Sequence, residues 1–285
     1  MILPGPDYPA PAKLNLFLHV VGRRPDGYHL LQSAFVLIDR ADRLRFRVRD
    51  DGRIHRVNDL PGVPPESDLV VRAAKLLQQA TGCGKGADIE VEKVLPMGGG
   101  VGGGSSDAAT TLLALDRLWG TGLESPALSA LGAKLGADVP FFLFGRDAWV
   151  EGIGERLVPL PLPPAWYLVL VPPETVPTAA VFGAPELTRN TEPLKMEDFS
   201  AHPGSAVFHN DLEPVVALRY PSVRTHLAWL SERGGGRLTG SGACVFARFD
   251  DREPAEHLLA QLPPAMQGFV ARGLAVHPLA RQQGR

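Results

Sequence analysis

Six glycines lie within seven positions, Gly98–Gly104, and Ser105 and Ser106 follow them. Glycine in ordered backbone is destabilising by roughly 0.5–1 kcal/mol relative to alanine, so such a run needs a physical reason. Backbone N–H groups that approach an anion at the positive end of a helix supply one, and the serine hydroxyls can bind phosphate oxygens or Mg²⁺. A flexible linker is the plain alternative, but linkers seldom join a strand to a well-patterned helix. The run therefore predicts a phosphate-binding loop.

Two familiar phosphate loops do not fit this run. A Walker loop needs lysine and then Ser or Thr after its last glycine, whereas Gly104 is followed directly by Ser105, and Gly84–Gly86 fails the same requirement. The dinucleotide pattern G-x-G-x-x-G is met formally within Gly98–Gly103. However, the strand before it carries two glutamates and a lysine where a dinucleotide fold has a buried apolar run. The loop belongs to a different phosphate-binding class.

Several polar side chains elsewhere could do chemistry, and each has a plainer interpretation. Asp138 enters the apolar run Phe141–Phe144 and is either a helix-end hydrogen-bonding group or a general base. Lys13 and Asn15 share the polar face of a predicted strand, where an exposed lysine is unremarkable. Lys93, just before the glycine run, is either a ligand contact or a lysine that extends past a sheet edge.

Three further groups stay equally open. Tyr28 and His29 follow the turn at residues 25–27 and are either a binding pair or a half-buried aromatic beside a solvated histidine. The segment Gly240-Ser241-Gly242 is a tight turn or a second glycine loop. Four arginines alternate along residues 43–49, and the flanking aspartates favour a solvated sheet face over a basic patch.

The composition limits the class of protein. The chain has 285 residues, 45% hydrophobic and 21% charged, with a formal net charge of −2, so we expect a folded protein that does not bind nucleic acid. The apolar runs are too short to cross a membrane, and the N-terminus lacks a basic stretch followed by an apolar core. Cys83 and Cys244 have no metal-type spacing. Two free thiols in a reducing cytoplasm is the plain expectation, and a disulfide between them stays open.

The elements around these residues mix strands and helices without a regular βαβ rhythm. Strands are predicted at 13–20, 43–49, 89–95, 166–171, 244–249 and 269–276. Helices are predicted from Ser67 to Gly82, from Ser105 to Trp119, from Ser125 to Gly136, and around 180–187, 211–219, 222–233 and 253–261. Four prolines within residues 159–164 suggest a boundary between two halves, 1–160 and 161–285. The pattern favours an α+β fold.

Three segments together resemble the galacto-, homoserine, mevalonate and phosphomevalonate (GHMP) kinase superfamily. They are Pro11–Leu18, Leu95–Ala109 and Thr239–Phe246, which occur in the order of the superfamily's motifs. Within it, Asp26–His29 and Gly136–Phe142 are similar to the kinases whose acceptor is 4-diphosphocytidyl-2-C-methyl-D-erythritol (CDP-methylerythritol), in the non-mevalonate route to isoprenoids.

The resemblance implies an N-terminal half like ribosomal protein S5, a ferredoxin-like C-terminal half, and an active site in the cleft between them. It implies that ATP, as its Mg²⁺ complex, binds the phosphate loop, with the metal ligands left unassigned. The implied ATP-binding residues are Pro96, Met97, Gly98, Gly99, Gly100, Val101, Gly102, Gly103, Gly104, Ser105 and Ser106.

The resemblance also implies roles for the polar residues. Asp138 takes the proton from the acceptor's 2-hydroxyl, and Lys13 beside it steadies the charge on that oxygen. The implied substrate-binding residues, including a tyrosine and a histidine that hold the cytosine ring, are Asn15, Tyr28, His29, Lys93, Thr178, Gly240, Ser241 and Gly242.

Two positions depart from the superfamily's pattern, and the acceptor stays open between related kinases. Val101 stands where leucine is usual, and Asp68 where asparagine is frequent near the adenine pocket. A homoserine, mevalonate or sugar kinase and a non-catalytic nucleotide-binding module are the competing interpretations. We expect only small-molecule partners, no membrane, and a monomer or homodimer.

Overall fold

Residues 3–280, described by a computed structural model, form ten strands and nine helices. The strands are β1 (Tyr8–Arg23), β2 (His29–Arg49), β3 (Ile54–Arg56), β4 (Gly86–Glu92), β5 (Ala148–Gly152), β6 (Arg156–Pro159), β7 (Trp166–Leu170), β8 (Arg237–Leu238), β9 (Val245–Phe249) and β10 (Gly268–Leu274). The helices are α1 (Leu69–Thr81), α2 (Gly103–Trp119), α3 (Ser125–Ala133), α4 (Val139–Phe144), α5 (Thr178–Phe182), α6 (Met196–Ala201), α7 (Glu213–Arg219), α8 (Pro221–Gly234) and α9 (Arg252–Leu259).

The ten strands belong to one mixed sheet. Its main path runs β3-β4-β2-β10-β7-β9-β8, while β1 pairs with β2, and β5 pairs with both β2 and β6. β3 and β4 run parallel, and the other strand pairs are antiparallel. Helices cover the sheet without alternating regularly with its strands, which confirms the predicted α+β class.

Strand β1 is buried on both faces, which the sequence did not predict. The alternation over residues 13–20 predicts one solvent-facing side, yet Lys13 is 3% exposed and His19 is 1% exposed. Helix α2 packs against the strand, and the Phe17 ring contacts Phe208 with centroids 5.2 Å apart. The interpretation of Lys13 as an ordinary exposed strand lysine is therefore wrong.

Strand β2 begins far upstream of the predicted segment 43–49. Residues 32–38 of this strand are buried on both faces, so they show no alternation for sequence analysis to detect. Its arginines face carboxylates of β4: Arg43 Nη1 lies 2.7 Å from Glu92 Oε1, and Arg49 Nη1 lies 3.0 Å from Asp88 Oδ1. As predicted, this face is not a basic patch.

Helix boundaries next to the site differ from the prediction by a few residues. Asp68, not Ser67, caps α1, because its Oδ1 accepts a hydrogen bond from Val70 N at 3.0 Å. Helix α2 begins at Gly103 instead of Ser105, so its first turn is made of the last glycines of the run. The N-cap of α3 is Glu124, and Ser125 is its first helical residue.

In the second part of the chain, most predicted elements exist with shifted ends. The predicted helix at 180–187 is the single turn α5 and a loop, whereas 211–219, 222–233 and 253–261 correspond to α7, α8 and α9. Helix α6 and strand β8 of this part were not predicted, and neither were β3, α4, β5 and β6 in the first part. Strand β10 joins the two parts of the sheet, since it pairs with β7 and, at Gly273 and Leu274, with β2. The division near residue 160 stays a prediction, and its outer ends, 1–2 and 281–285, lie outside the described residues.

None of the helices within residues 3–280 has the length and apolar character that a membrane-crossing helix needs.

Candidate active site

A cavity of about 1020 Å³ lies where β1, the glycine run, the start of α4 and the 240–242 loop meet. This volume is at the upper end of the range for small-molecule sites. The predicted site residues line it with two exceptions, Ser106 and Gly242. Those in the wall are Lys13, Asn15, Tyr28, His29, Lys93, residues 96–105, Asp138, Thr178, Gly240 and Ser241.

The glycine run is held in place by the 239–244 segment. Gly100 has a φ of +76°, and a Cβ there would lie 2.4 Å from the carbonyl oxygen of Thr239. Cys244 N donates to Gly99 O at 3.0 Å, so the two glycine loops are joined by backbone hydrogen bonds. The run needs glycine for close approach to protein backbone as well as for its positive φ angles.

The loop leads directly into the N-terminus of α2. Gly102, with a φ of 75°, is the N-cap, and no side chain in residues 3–280 caps this helix end. Its first N–H groups are consequently available to an anion, and the helix dipole favours one there. Ser105 lines the cavity, whereas Ser106 is fully buried and its Oγ has no hydrogen-bond partner among the described residues.

Lys13 and Asp138 come together across the cavity wall. The Lys13 Nζ lies 3.6 Å from Asp138 Oδ2, and the side chains are 4% and 33% exposed. Asp138 is the N-cap residue of α4, but within the described chain its carboxylate makes no capping hydrogen bond. The helix-end interpretation of Asp138 therefore has no support, and its carboxylate is left to the lysine and to the cavity.

Neighbouring groups fix the Lys13 ammonium. It donates to Asn15 Oδ1 at 2.5 Å and lies 4.6 Å from the centroid of the Phe35 ring. Asn15 is itself oriented, since its Nδ2 donates to Ser33 Oγ at 3.2 Å and its backbone N donates to Thr239 Oγ1 at 3.0 Å. Burial lowers the pKa of Lys13, and the attraction of Asp138 only partly offsets this.

Lys93 lies in the cavity wall beside the phosphate loop, just past the end of β4. Its Nζ donates to Asp107 Oδ2 at 2.8 Å and also to Asp42 Oδ2. Asp42 in turn accepts from Val94 N at 2.6 Å and Leu95 N at 2.8 Å, which ties the ion pairs to the strand that enters the loop. Burial acts to lower the pKa of Lys93, but the two carboxylates outweigh it and raise the pKa above its usual value.

Replacing Lys93 by methionine is expected to lower the free energy of unfolding by about 3 kcal/mol, because two carboxylates lose their shared cation. This expected loss of stability is at the low end for breaking a buried ion pair, because the lysine side chain is 19% exposed. Urea unfolding of the variant measures it. Lys85→Met, at an exposed lysine, is the matched control, and equal losses in the two variants would contradict this structural role.

Asp68 stands near the predicted adenine pocket, where the superfamily frequently has asparagine, and its carboxylate binds other groups of the protein. One oxygen caps α1, and the other lies 2.5 Å from Arg56 Nη1. The residue still lines the cavity, beside Leu60 and Val63. The arginine compensates for the negative charge that aspartate introduces at a position where asparagine is frequent.

Tyr28 and His29 lie in the same cavity as the lysine–aspartate pair. Tyr28 is 60% exposed, so its ring is available to a ligand. The His29 ring lies against Phe182 of α5, with centroids 5.0 Å apart and ring planes at 32°. Burial, and then the charges of Arg189 and Arg23, lower the pKa of His29, which keeps its imidazole neutral near pH 7.

Thr178 and Ser241 meet at the cavity wall. Their hydroxyl oxygens are 2.8 Å apart, a hydrogen bond that joins α5 to the C-terminal glycine loop. Both residues were predicted as substrate contacts from segments 63 positions apart in the chain.

Sequence analysis missed four residues that line the cavity or contact its lining: Phe35, Asp107, Phe182 and Arg189. Phe182 and Phe35 appear in the sequence as ordinary apolar residues, and nothing near them signals a ligand. Asp107 directly follows the predicted loop and could have been found as a first-turn carboxylate. Arg189 lies in a proline-flanked segment without periodicity, so its contact with His29 is visible only in three dimensions.

The residues present fit a Mg²⁺ ion that arrives with a nucleotide. Among residues 3–280 there is no cluster of three or more His, Cys, Asp or Glu side chains that could hold a metal by itself. Asp107 lines the cavity, and its Oδ1 is buried without a hydrogen-bond partner in the described chain. One carboxylate together with phosphate oxygens and water is the ligand set that Mg²⁺ commonly uses.

Comparison with known proteins identifies the family of this chain. Residues 68–146 match the GHMP kinases N terminal domain, and residues 192–266 match the GHMP kinases C terminal family. The 4-diphosphocytidyl-2-C-methyl-D-erythritol kinases of Thiobacillus denitrificans and Aromatoleum aromaticum are 62% and 59% identical over 95% and 96% of this chain, and over 96% and 95% of their own lengths. A crystal structure of 4-(cytidine 5'-diphospho)-2C-methyl-D-erythritol kinase superposes with a TM-score of 0.82 at 35% identity, covering 94% of this chain and 99% of that one. The chain therefore belongs to the GHMP kinases and, within them, to the 4-diphosphocytidyl-2-C-methyl-D-erythritol kinase family.

Proposed function

We propose that this chain transfers the γ-phosphoryl group of ATP to the 2-hydroxyl of CDP-methylerythritol, giving the 2-phosphate and ADP in the non-mevalonate isoprenoid route. One observation carries the proposal: an open helix N-terminus, the buried Lys13 with the partly exposed Asp138 beside it, and the Tyr28–His29 pair line one cavity. The helix N-terminus suits the phosphates of a donor, the lysine–aspartate pair suits an acceptor hydroxyl, and the aromatic pair suits a nucleobase.

The ATP phosphates bind the glycine run and the first turn of α2. The backbone N–H groups there and the helix dipole stabilise negative charge without having to reorganise. A bound Mg²⁺ would neutralise phosphate charge, and Asp107 and Ser105 are the side chains placed to hold it. Catalysis then depends mainly on positioning and charge stabilisation, as is usual in phosphoryl transfer.

Asp138 accepts the proton of the acceptor hydroxyl. The oxygen forms its bond to the γ-phosphorus while the bond from that phosphorus to the β-phosphate oxygen breaks, so ADP leaves with the bonding electron pair. Lys13 stabilises the negative charge that develops on the attacking oxygen, and Asn15 holds the lysine in place. The transfer is direct and needs no covalent intermediate on the enzyme.

Tyr28, Phe182 and His29 recognise the cytosine of the acceptor. The exposed Tyr28 ring offers a stacking face, and His29 offers a polar edge. Among GHMP kinases, an acceptor that carries no nucleobase has no use for such a pocket. The pocket therefore favours CDP-methylerythritol over homoserine, mevalonate or a sugar.

Measuring ADP formation over a panel of acceptors tests the proposed function. Turnover with CDP-methylerythritol, and little with homoserine, mevalonate or galactose, is the expected result. Turnover with homoserine and none with CDP-methylerythritol would contradict the choice of acceptor. ATP binding without turnover on any of these would indicate a non-catalytic nucleotide-binding module.

Replacing Tyr28 by alanine is expected to raise the KM for CDP-methylerythritol at least about fivefold, because stacking on one base contributes about 1–3 kcal/mol. The fold should not change, since the ring is 60% exposed. Steady-state kinetics measure the effect, with the KM for ATP as an internal reference. Tyr28→Phe, which keeps the ring, should behave like the unsubstituted protein, and an equally large increase in that variant would argue against stacking.

We also infer a cytoplasmic location. The supporting observation is that Cys83 and Cys244 are both free thiols, as expected in a reducing compartment.

A further inference from the structure

Arg189, which lies outside the cavity wall, makes a specific contact with a residue in it. Its Nε donates to His29 Nε2 at 3.1 Å. Its other nitrogens donate to three carbonyl oxygens at the end of α5 and in the following loop: Phe182 O at 2.9 Å, Ala184 O at 2.6 Å and Leu187 O at 2.9 Å. The guanidinium is thus fixed by backbone, and it presents one N–H to the imidazole.

This contact determines which nitrogen of His29 carries the proton. A guanidinium in a protein only donates hydrogen bonds, so His29 Nε2 must accept with its lone pair. In the neutral imidazole the single proton is then on Nδ1. Burial and the nearby arginine charges favour the neutral form, and the ring face is covered by Phe182. No hydrogen bond joins Nδ1 to another residue within 3–280, so the Nδ1–H is left for a ligand of the cavity that His29 lines.

A fixed N–H donor distinguishes the two common pyrimidines. Cytosine has an unprotonated N3, which accepts a hydrogen bond, whereas uracil carries a proton on N3 and donates there. A donor facing N3 therefore matches cytosine and leaves two donors opposed with uracil. A polar group in a binding site that loses its partner discriminates strongly against the wrong ligand.

We propose that Arg189 is a positioning residue that holds His29 in the Nδ1–H tautomer and so makes the acceptor site select cytosine over uracil. The inference deepens the proposed function and rests on it for the identity of the acceptor. Arg189 itself touches neither the base nor the reacting atoms. Its effect reaches the ligand through the imidazole.

The tautomer is measured directly by ¹⁵N NMR of the imidazole nitrogens in the ligand-free protein, with His29 assigned from the spectrum of His29→Gln. The expected spectrum has a protonated Nδ1 and an unprotonated Nε2, and Arg189→Met should shift the population towards the Nε2–H form. A predominant Nε2–H tautomer in the unsubstituted protein would overturn the proposal, whether or not the chain phosphorylates CDP-methylerythritol. This readout separates failure of the inference from failure of the proposed function.

Selectivity is measured as the ratio of kcat/KM for CDP-methylerythritol to that for its uridine analogue. Arg189→Met is expected to lower this ratio at least about tenfold, mainly through the KM for the cytidine substrate, with the KM for ATP unchanged. Arg189→Lys keeps a donor near Nε2 and should restore part of the ratio.

Arg219→Met is the matched control, because Arg219 also donates to the α5 segment, at Ala180 O (3.3 Å), without contacting His29. It should leave the ratio unchanged. Equal losses of kcat/KM for both nucleotides in Arg189→Met, or the same change of ratio in Arg219→Met, would show that the arginine only supports the loop and would overturn the proposal.

Discussion

Replacing Asp138 by asparagine is expected to lower kcat with CDP-methylerythritol by about 10²–10⁴-fold, the usual contribution of a general base. Asparagine keeps the shape and one carbonyl oxygen for Lys13, 3.6 Å away, but cannot take the hydroxyl proton. The phosphate loop is untouched, so the affinity for ATP should remain close to that of the unsubstituted protein. Single-turnover phosphoryl transfer and calorimetric titration with a non-hydrolysable ATP analogue measure the two quantities.

Stability has to be checked in the same variant, because Lys13 is buried and loses its counter-charge. The ammonium keeps Asn15 Oδ1 and the Phe35 ring as partners, so we expect a folded protein with a lower Tm. A folded variant that retains kcat within a few-fold would show that Asp138 is not the base and that positioning alone drives the transfer.

The residues of this proposed catalytic pair could be named from sequence, but their environment could not. Asp138 and Lys13 were found through motifs whose order along the chain matches the GHMP kinases. The burial of Lys13 was not predictable, because β1 reads as a half-exposed strand until α2 and the segment around Phe208 are packed on it. The alternation of apolar and polar residues shows only that the segment is a strand. The residues that cover the polar face of β1 lie about 90–190 positions away in the chain.

Replacing Gly100 by alanine is expected to lower kcat/KM for ATP by at least about 100-fold, because a displacement of about 1 Å in a positioning element costs that much. The added Cβ would lie 2.4 Å from Thr239 O and about 3 Å from the backbone of Gly242, so the two glycine loops must separate. The N–H groups proposed to bind phosphate then move with the loop. Initial rates at varied ATP concentration measure the loss.

Gly122→Ala separates this steric effect from backbone strain. Gly122 has a φ of +68° and open space where a Cβ would be added, so the substitution brings the same unfavourable backbone region without a collision. Both variants should lose some stability, and only Gly100→Ala should lose ATP-dependent turnover. Similar kinetics in the two would mean that loop separation does not control ATP binding.

The loop itself was the most predictable part of the site, since its glycines signal phosphate binding without help from tertiary structure. The start of its helix was placed two residues late, because glycine has poor helix propensity and Ser105 looks like a cap. The proposed cytosine-binding end was the least predictable. Tyr28 and His29 could be named only by resemblance, and their partners Phe182 and Arg189 come from a segment with no periodic pattern.

The most direct test of the whole account is the fate of a labelled γ-phosphoryl group when the purified protein is given ATP and CDP-methylerythritol. The account predicts stoichiometric ADP and a single phosphomonoester on the 2-hydroxyl carbon, identified by ³¹P–¹³C coupling in the product. Label found only in inorganic phosphate, or on another hydroxyl of the acceptor, would contradict it.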